Sequence, residues 1–142
     1  HPFEATIKAQ YEAKRSLLFA DHRVLPDFEL KTLVPPQSHF GEVRNADAWF
    51  NLYSELRSRV QEIDFDVAVI GAGPFGLPIA VDVKRMGKIA IHLGGATQVL
   101  FGIRGKRWDQ DEEVGALMTD DWVRPSAEET PALLARNRSP YW

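Results

Sequence analysis

The sequence predicts an α/β fold in which a small parallel sheet has helices on both faces. Three observations carry this. Helix-like and strand-like stretches alternate along the chain, as crossover connections between parallel strands require. Two short apolar runs, residues 67–70 (VAVI) and 89–93 (IAIHL), each lead into glycines. Between them, residues 75–86 have the length and spacing of a helix.

Each element has its own grounds. Residues 3–19 place Ile7, Tyr11, Leu17 and Leu18 at helical spacing among charges, and Pro26 then breaks the chain. Residues 28–34 (FELKTLV) alternate apolar and polar side chains, the pattern of a strand, and Pro35 and Pro36 end it. Residues 37–45 are polar and predict a loop. Residues 46–60 put Trp49, Leu52, Tyr53, Leu56 and Val60 on one stripe, with Asn45 or Asp47 as N-cap. Two buried strands, 67–70 and 89–93, then enclose the helix 75–86. Pro78 is tolerated in its first turn, and Gly87 suits its exit. Residues 97–103 predict a short helix, and 104–121, charge mixed with glycine, a mobile loop. Ser126 and Glu129 have capping-box spacing, which predicts a last helix over 127–136.

The 142 residues suffice for one domain spanning 1–142. Within it, residues 1–62 hold the N-terminal helices and first strand. Residues 63–108 hold the βαβ core with its glycine turns, and 109–142 the C-terminal loop and short helix. Hydrophobic residues make up 44% and charged residues 26%, ordinary values for a globular chain. The net charge of −3 argues against a broad nucleic-acid footprint, so any anion site is local. There is no cysteine, which excludes disulfides and thiolate chemistry and fits a cytoplasmic protein. No apolar run reaches the roughly 18 residues of a membrane span. The chain opens on His1 rather than methionine, which predicts a longer natural protein. Three strands leave both sheet edges open. A homo-oligomer or a missing N-terminal half would cover them.

Gly71-Ala72-Gly73-Pro74-Phe75-Gly76 matches G-x-G-x-x-G between a strand and a helix. The first glycine allows the tight turn, the second the approach of a phosphate, the third the packing of helix on strand. A strand-to-helix turn can also favour glycine for packing alone. A dinucleotide would need an acid at the end of the second strand, where His92, Leu93 and Gly94 stand instead. That argues against NAD(P) and against an oxidoreductase. Gly94 and Gly95 can form an anion nest with Thr97 and Gln98 beside it, or serve only a tight strand exit. His92 is either a core histidine or a base or ligand contact at the carboxyl edge of the sheet. Arg104, Lys106 and Arg107 can hold a phosphate, and Trp108 can stack on a base or sugar; the alternative is a solvated basic loop. The acidic runs Asp111-Glu112-Glu113 and Asp120-Asp121 read as solvated faces rather than a metal site, and Glu29 and Asp66 are weaker carboxylate candidates.

On these residues the chain resembles a known group. IAIHLGGATQVLFGIRGKRW and DDWVRPSAEETP, with HPFEATIKAQY, LLF and LPDFELKTL, are similar to bacterial proteins related to the GT-D glycosyltransferase domain, many of them uncharacterised. The resemblance covers nearly the whole chain, and GG-x-x-Q-x-x-F-G-I-x-G-K-R-W is its most distinctive string. It implies a Rossmann-like sheet, a nucleotide-sugar donor and a place in surface-polysaccharide or glycan synthesis. It also implies a D-x-E metal motif near the family's N-terminus, to which no residue of this chain is assigned. A Mn or Mg ion would therefore be bound by residues outside this chain, or the chemistry has been lost. Gly71, Gly73, His92, Gly94, Gly95, Gln98, Arg104, Lys106, Arg107 and Trp108 match the shared strings; Gly76 is added by the fingerprint. The expectation is a glycosyltransferase-like domain with His92 as a candidate base. A non-catalytic nucleotide-binding or assembly module remains the alternative.

Overall fold

The structure, a computed structural model, describes residues 1–36 and 45–129. The expected loop at 37–44 and the part of the expected last helix at 130–136 lie outside the described residues. The elements run α1 (Glu4–Lys14), α2 (Ala46–Gln61), β1 (Val67–Ile70), α3 (Gly76–Arg85), β2 (Ile89–His92), α4 (Thr97–Leu100), α5 (Lys106–Asp109) and α6 (Glu112–Gly115). They fall into two compact units. A strand unit comprises His1–Pro2 and Leu33–Gly94; a helical unit comprises Phe3–Thr32 and Gly95–Trp142.

In the strand unit, α2 begins where the Asn45 side chain accepts the Ala48 N–H at 2.8 Å. Its apolar stripe, Trp49, Leu52, Tyr53, Leu56 and Val60, packs with Phe75, Ile79 and Val83 and with Ala68, Ile70 and Ala90 of the strands. Trp49 stacks between Tyr53 (5.3 Å) and Phe75 (5.2 Å), so the phenyl ring of the glycine turn is clamped beneath α2. The Tyr53 hydroxyl donates to the buried Asp82 carboxylate of α3, which also pairs with Arg57 (3.4 Å) and Arg85 (3.6 Å). Burial, and then that carboxylate, raise the Tyr53 pKa. α3 tolerates Pro78 in its first turn, where backbone N–H groups lack helical partners anyway, and it ends at Gly87 with φ +79°. β1 and β2 pair in parallel, Val67 opposite Ile89 through Ile70 opposite His92.

The observed fold is mixed α/β, and its sheet has two strands among the described residues. The expected strand at 28–34 is absent. At its start, the Tyr11 side chain takes the backbone groups of Phe28 instead. Phe28 donates its N–H to the Tyr11 hydroxyl at 2.6 Å, and that hydroxyl donates to the Phe28 carbonyl at 2.8 Å. Leu30 packs in the core of the helical unit and Leu33 in that of the strand unit, so this stretch passes between units instead of pairing. The two sheet strands are also less buried than expected. Residues alternate between faces, and Ala68, Ile70 and Ala90 face the helices. On the other face Val67 is 46%, Ile89 56% and Ile91 43% exposed, so helices on both faces are not seen among the described residues.

In the helical unit, Phe3, Ile7, Tyr11, Leu18, Phe19, Leu25, Phe101, Ile103 and Trp122 form one core. The predicted helix over 3–19 is α1 followed by a 3-10 turn, Arg15–Leu17. Gln10 donates its amide to the carbonyls of Gly102 (3.3 Å) and Asp121 (2.9 Å), and the Trp122 indole N–H donates to the Leu18 carbonyl at 2.9 Å. Residues 104–121 hold two short helices rather than a loop alone; Asp111 caps α6 by accepting the Val114 N–H at 3.0 Å.

Ser126 and Glu129, the expected capping-box pair, are in contact, the Ser126 hydroxyl donating to the Glu129 carboxylate at 3.3 Å, and both also make a longer-range contact. The Ser126 N–H donates to Thr6 Oγ1 at 3.0 Å. The Glu129 carboxylate accepts the N–H groups of Ala5 (2.6 Å) and Thr6 (3.2 Å) at the start of α1. Phe3, at the N-cap position of α1, makes no side-chain cap bond, so a carboxylate distant in sequence performs that task. Glu129→Ala is expected to lower the stability of this unit by about 1–2 kcal/mol, read as faster amide exchange at Ala5 and Thr6 and a lower urea midpoint. Equal exchange in both proteins would show that the cap carries no energy.

Candidate functional site

The predicted site residues are divided between the two units. In the strand unit, Gly71 is buried directly after β1. Gly73 has φ +51°, and nothing lies within 4 Å of where a Cβ would stand. Space is therefore open at the second glycine of the turn, where the fingerprint needs close approach. Gly76 is buried, and the structure brings it together with His92. A Cβ on Gly76 would stand 2.4 Å from His92 Nε2. The third glycine thus makes room for an imidazole from the carboxyl end of β2. His92 itself is exposed rather than a core histidine. Gly94 has φ +57° and is likewise open on its Cβ side.

The backbone donors at this turn are fewer than the fingerprint supplies. Pro74 and Pro78 have no N–H. The Phe75 N–H donates to the Ala72 carbonyl at 3.1 Å and the Gly76 N–H to the Gly73 carbonyl. Any anion here depends on the remaining main chain and on His92.

In the helical unit, Gly95 sits half-buried in a 3-10 turn, Gly94–Ala96. Gln98 is fully buried and donates its amide to the Ile103 carbonyl at 3.2 Å. Phe101 and Ile103 are core residues, and Gly102 has φ +63° beneath Leu18. The most distinctive string of the sequence thus has packing work at several positions. Lys106 and Arg107 are exposed on α5. The Arg107 guanidinium lies 4.8 Å from the centre of the Trp108 ring. Trp108 is only 9% exposed, and its indole N–H has no hydrogen-bond partner among the described residues.

Arg104 Nε donates to Asp109 at 3.1 Å, and Arg124 donates to the other oxygen of the same carboxylate. Burial pushes the Asp109 pKa up, but the bonds from Arg124 and Arg104 outweigh it and hold the group below the usual carboxylate range. Glu4 is lowered too, chiefly by hydrogen bonds from Thr32 and Lys8. A carboxylate lowered in the folded state contributes stability that is complete above the unfolded value. That stability is lost as pH falls through the folded value. The urea midpoint of the helical unit is therefore expected to hold from neutral pH down to about pH 4 and to drop below it. A midpoint unchanged between pH 6 and pH 3 would contradict this.

Arg124 and Asp109 were not legible as site residues. Arg104 and Arg124 are twenty positions apart, and their juxtaposition results from a parallel bridge between Ile103 and Val123.

Among the described residues, no three acidic or histidine side chains are grouped to hold a metal ion. Asp111 caps α6, and Asp121 pairs with Lys14 at 2.7 Å. No helix among the described residues is long and apolar enough to cross a membrane. The chain matches no protein-family model, and no curated protein and no solved structure is significantly similar to it.

Proposed function

We propose that the chain is a glycosyltransferase-like domain of Rossmann-like design that binds the diphosphate of a nucleotide-sugar, and that the glycine turn of the strand unit is where it does so. The observation that carries this reading is the left-handed, unobstructed Gly73, on a turn that comes after a parallel strand and precedes a helix. Ligands of open α/β sheets bind at that end of the strands. His92 stands at the same end, against Gly76. Its imidazole supplies the polar side chain that the prolines of the turn make necessary, and it is the candidate base for an acceptor hydroxyl. Neutralising the diphosphate leaving group would lower the barrier to sugar transfer.

Thermal shift with UDP-, GDP- and CMP-sugars, with and without Mn²⁺, tests the reading. A nucleotide-sugar at a hundred times its Kd should stabilise the protein by about 2.7 kcal/mol. Gly73→Ala costs about 1–2 kcal/mol through its positive φ and points a methyl group into the open space. It should abolish the ligand shift while leaving a folded protein. An undiminished shift in that variant would remove the glycine turn from the site. A shift with NADH alone would favour an oxidoreductase.

A specific observation favours a second reading, an assembly module. The sheet face of Val67, Ile89 and Ile91 is apolar and exposed, whereas parallel sheets ordinarily bury both faces. A mass that depends on protein concentration, with no response to any nucleotide, would support it.

A further inference from the structure

We propose that Arg104 and Arg124, aligned by Asp109, form an anion site in the helical unit for the phosphoryl group of a small phosphorylated ligand. It does not require the glycine turn to hold a phosphate. The arrangement begins in the backbone. Ile103 and Val123 form a parallel bridge, with the Arg104 N–H donating to the Val123 carbonyl at 2.7 Å and the Val123 N–H to the Gly102 carbonyl at 3.0 Å. One step further along each segment, Arg104 and Arg124 are neighbours. Asp109 then takes one oxygen to each guanidinium.

Two cations share one carboxylate, and neither arginine pairs with a second one among the described residues. The trio therefore keeps one net positive charge. Each guanidinium has five N–H donors, and Asp109 accepts from one nitrogen of each, Nε of Arg104 and a terminal nitrogen of Arg124. The side chains are half exposed, 44% for Arg104 and 51% for Arg124, so the unused donors are within reach of a solute. An exposed ion pair alone contributes about 0–1 kcal/mol, and two guanidiniums on one carboxylate repel each other. A second anion removes that repulsion and fills the vacant donors in the planar geometry that suits phosphate. Asp109 acts as a positioning residue. Lys106 and Arg107, exposed on α5, add charge nearby in sequence without a carboxylate partner among the described residues.

The test is a titration of the full chain with pyrophosphate, monitored through the Arg Nε–Hε resonances and by calorimetry. The Arg104 and Arg124 resonances should shift together with one Kd. Arg104→Gln and Arg124→Gln should each weaken binding about tenfold, and Arg124→Lys should weaken it less. Arg85→Gln, an exposed arginine of the strand unit, should leave the Kd unchanged, and unaltered melting temperatures confirm folding. Unmoved Arg104 and Arg124 resonances, or an unchanged Kd in both Gln variants, would overturn the proposal. So would tight binding of a single-stranded oligonucleotide with which pyrophosphate does not compete. Because Gly73→Ala lies in the other unit, loss of pyrophosphate binding in that variant and not in Arg124→Gln would refute this site and leave the glycine turn as the phosphate site.

Discussion

Phe75→Ala is expected to remove about 3–5 kcal/mol from the strand unit, the usual range for deleting a buried phenyl ring. Phe75 is fully buried, stacks on Trp49 at 5.2 Å, and joins Leu56, Ile70, Ile79 and Val83 in the core. Few residues share that core, and a two-stranded sheet has little stability of its own. The loss is of the order of a small domain's whole stability. Amide exchange across β1, α3 and β2 should approach that of an unfolded chain. Phe75→Leu keeps much of the apolar volume and should cost clearly less. Protection retained in the alanine variant would mean that the aromatic stack does not hold the glycine turn. That would weaken the idea of a preformed phosphate site as well.

Gly102→Val should destabilise the helical unit by about 2–5 kcal/mol, from two separate costs. The residue has φ +63°, which a β-branched side chain rarely adopts. A Cβ would also stand 2.6 Å from Leu18 Cδ2 and 3.3 Å from Gln10 Nε2, and overpacking a core typically costs about 1–3 kcal/mol. Gln10 is bonded to the Gly102 carbonyl, so the strain reaches α1 directly. Urea unfolding combined with exchange at α1 and at Ile103 measures it. A loss below about 0.5 kcal/mol would mean that Leu18 and Gln10 yield freely. By contrast, Gly73→Ala meets no neighbour, and its main effect is expected on ligand binding. Two glycines from similar-looking turns thus have opposite assignments, one for packing and one for access.

Local chemistry set the helices. The apolar stripe of α2, the Asn45 cap, Pro78 in a first turn and Gly87 as a C-terminal stop all act within a few residues, and each stands as the sequence implies. The parallel order of β1 and β2 was legible for the same reason: two apolar runs and one helix between them leave little topological choice. The segment 28–34 was misleading because its alternation is real, yet the Tyr11 hydroxyl takes the backbone groups of Phe28. Periodicity records which side chains want burial; it does not say whether a neighbouring strand exists. The strands' exposure was missed similarly, since apolar content does not state how many layers surround a sheet.

For the candidate sites the division reflects distance along the chain. The sequence by itself determined the glycine turn at 71–76, the basic residues 104–107, the start of α2 and the exit of α3, because these depend on steric and hydrogen-bonding preferences of adjacent residues. Only the tertiary structure decided that Gly76 makes room for His92, that Glu129 caps α1, and that Asp109 binds Arg104 and Arg124 together. Those contacts join residues from 5 to 124 positions apart. They exist because backbone pairing and core burial bring distant segments within reach of short-range forces that no local pattern encodes.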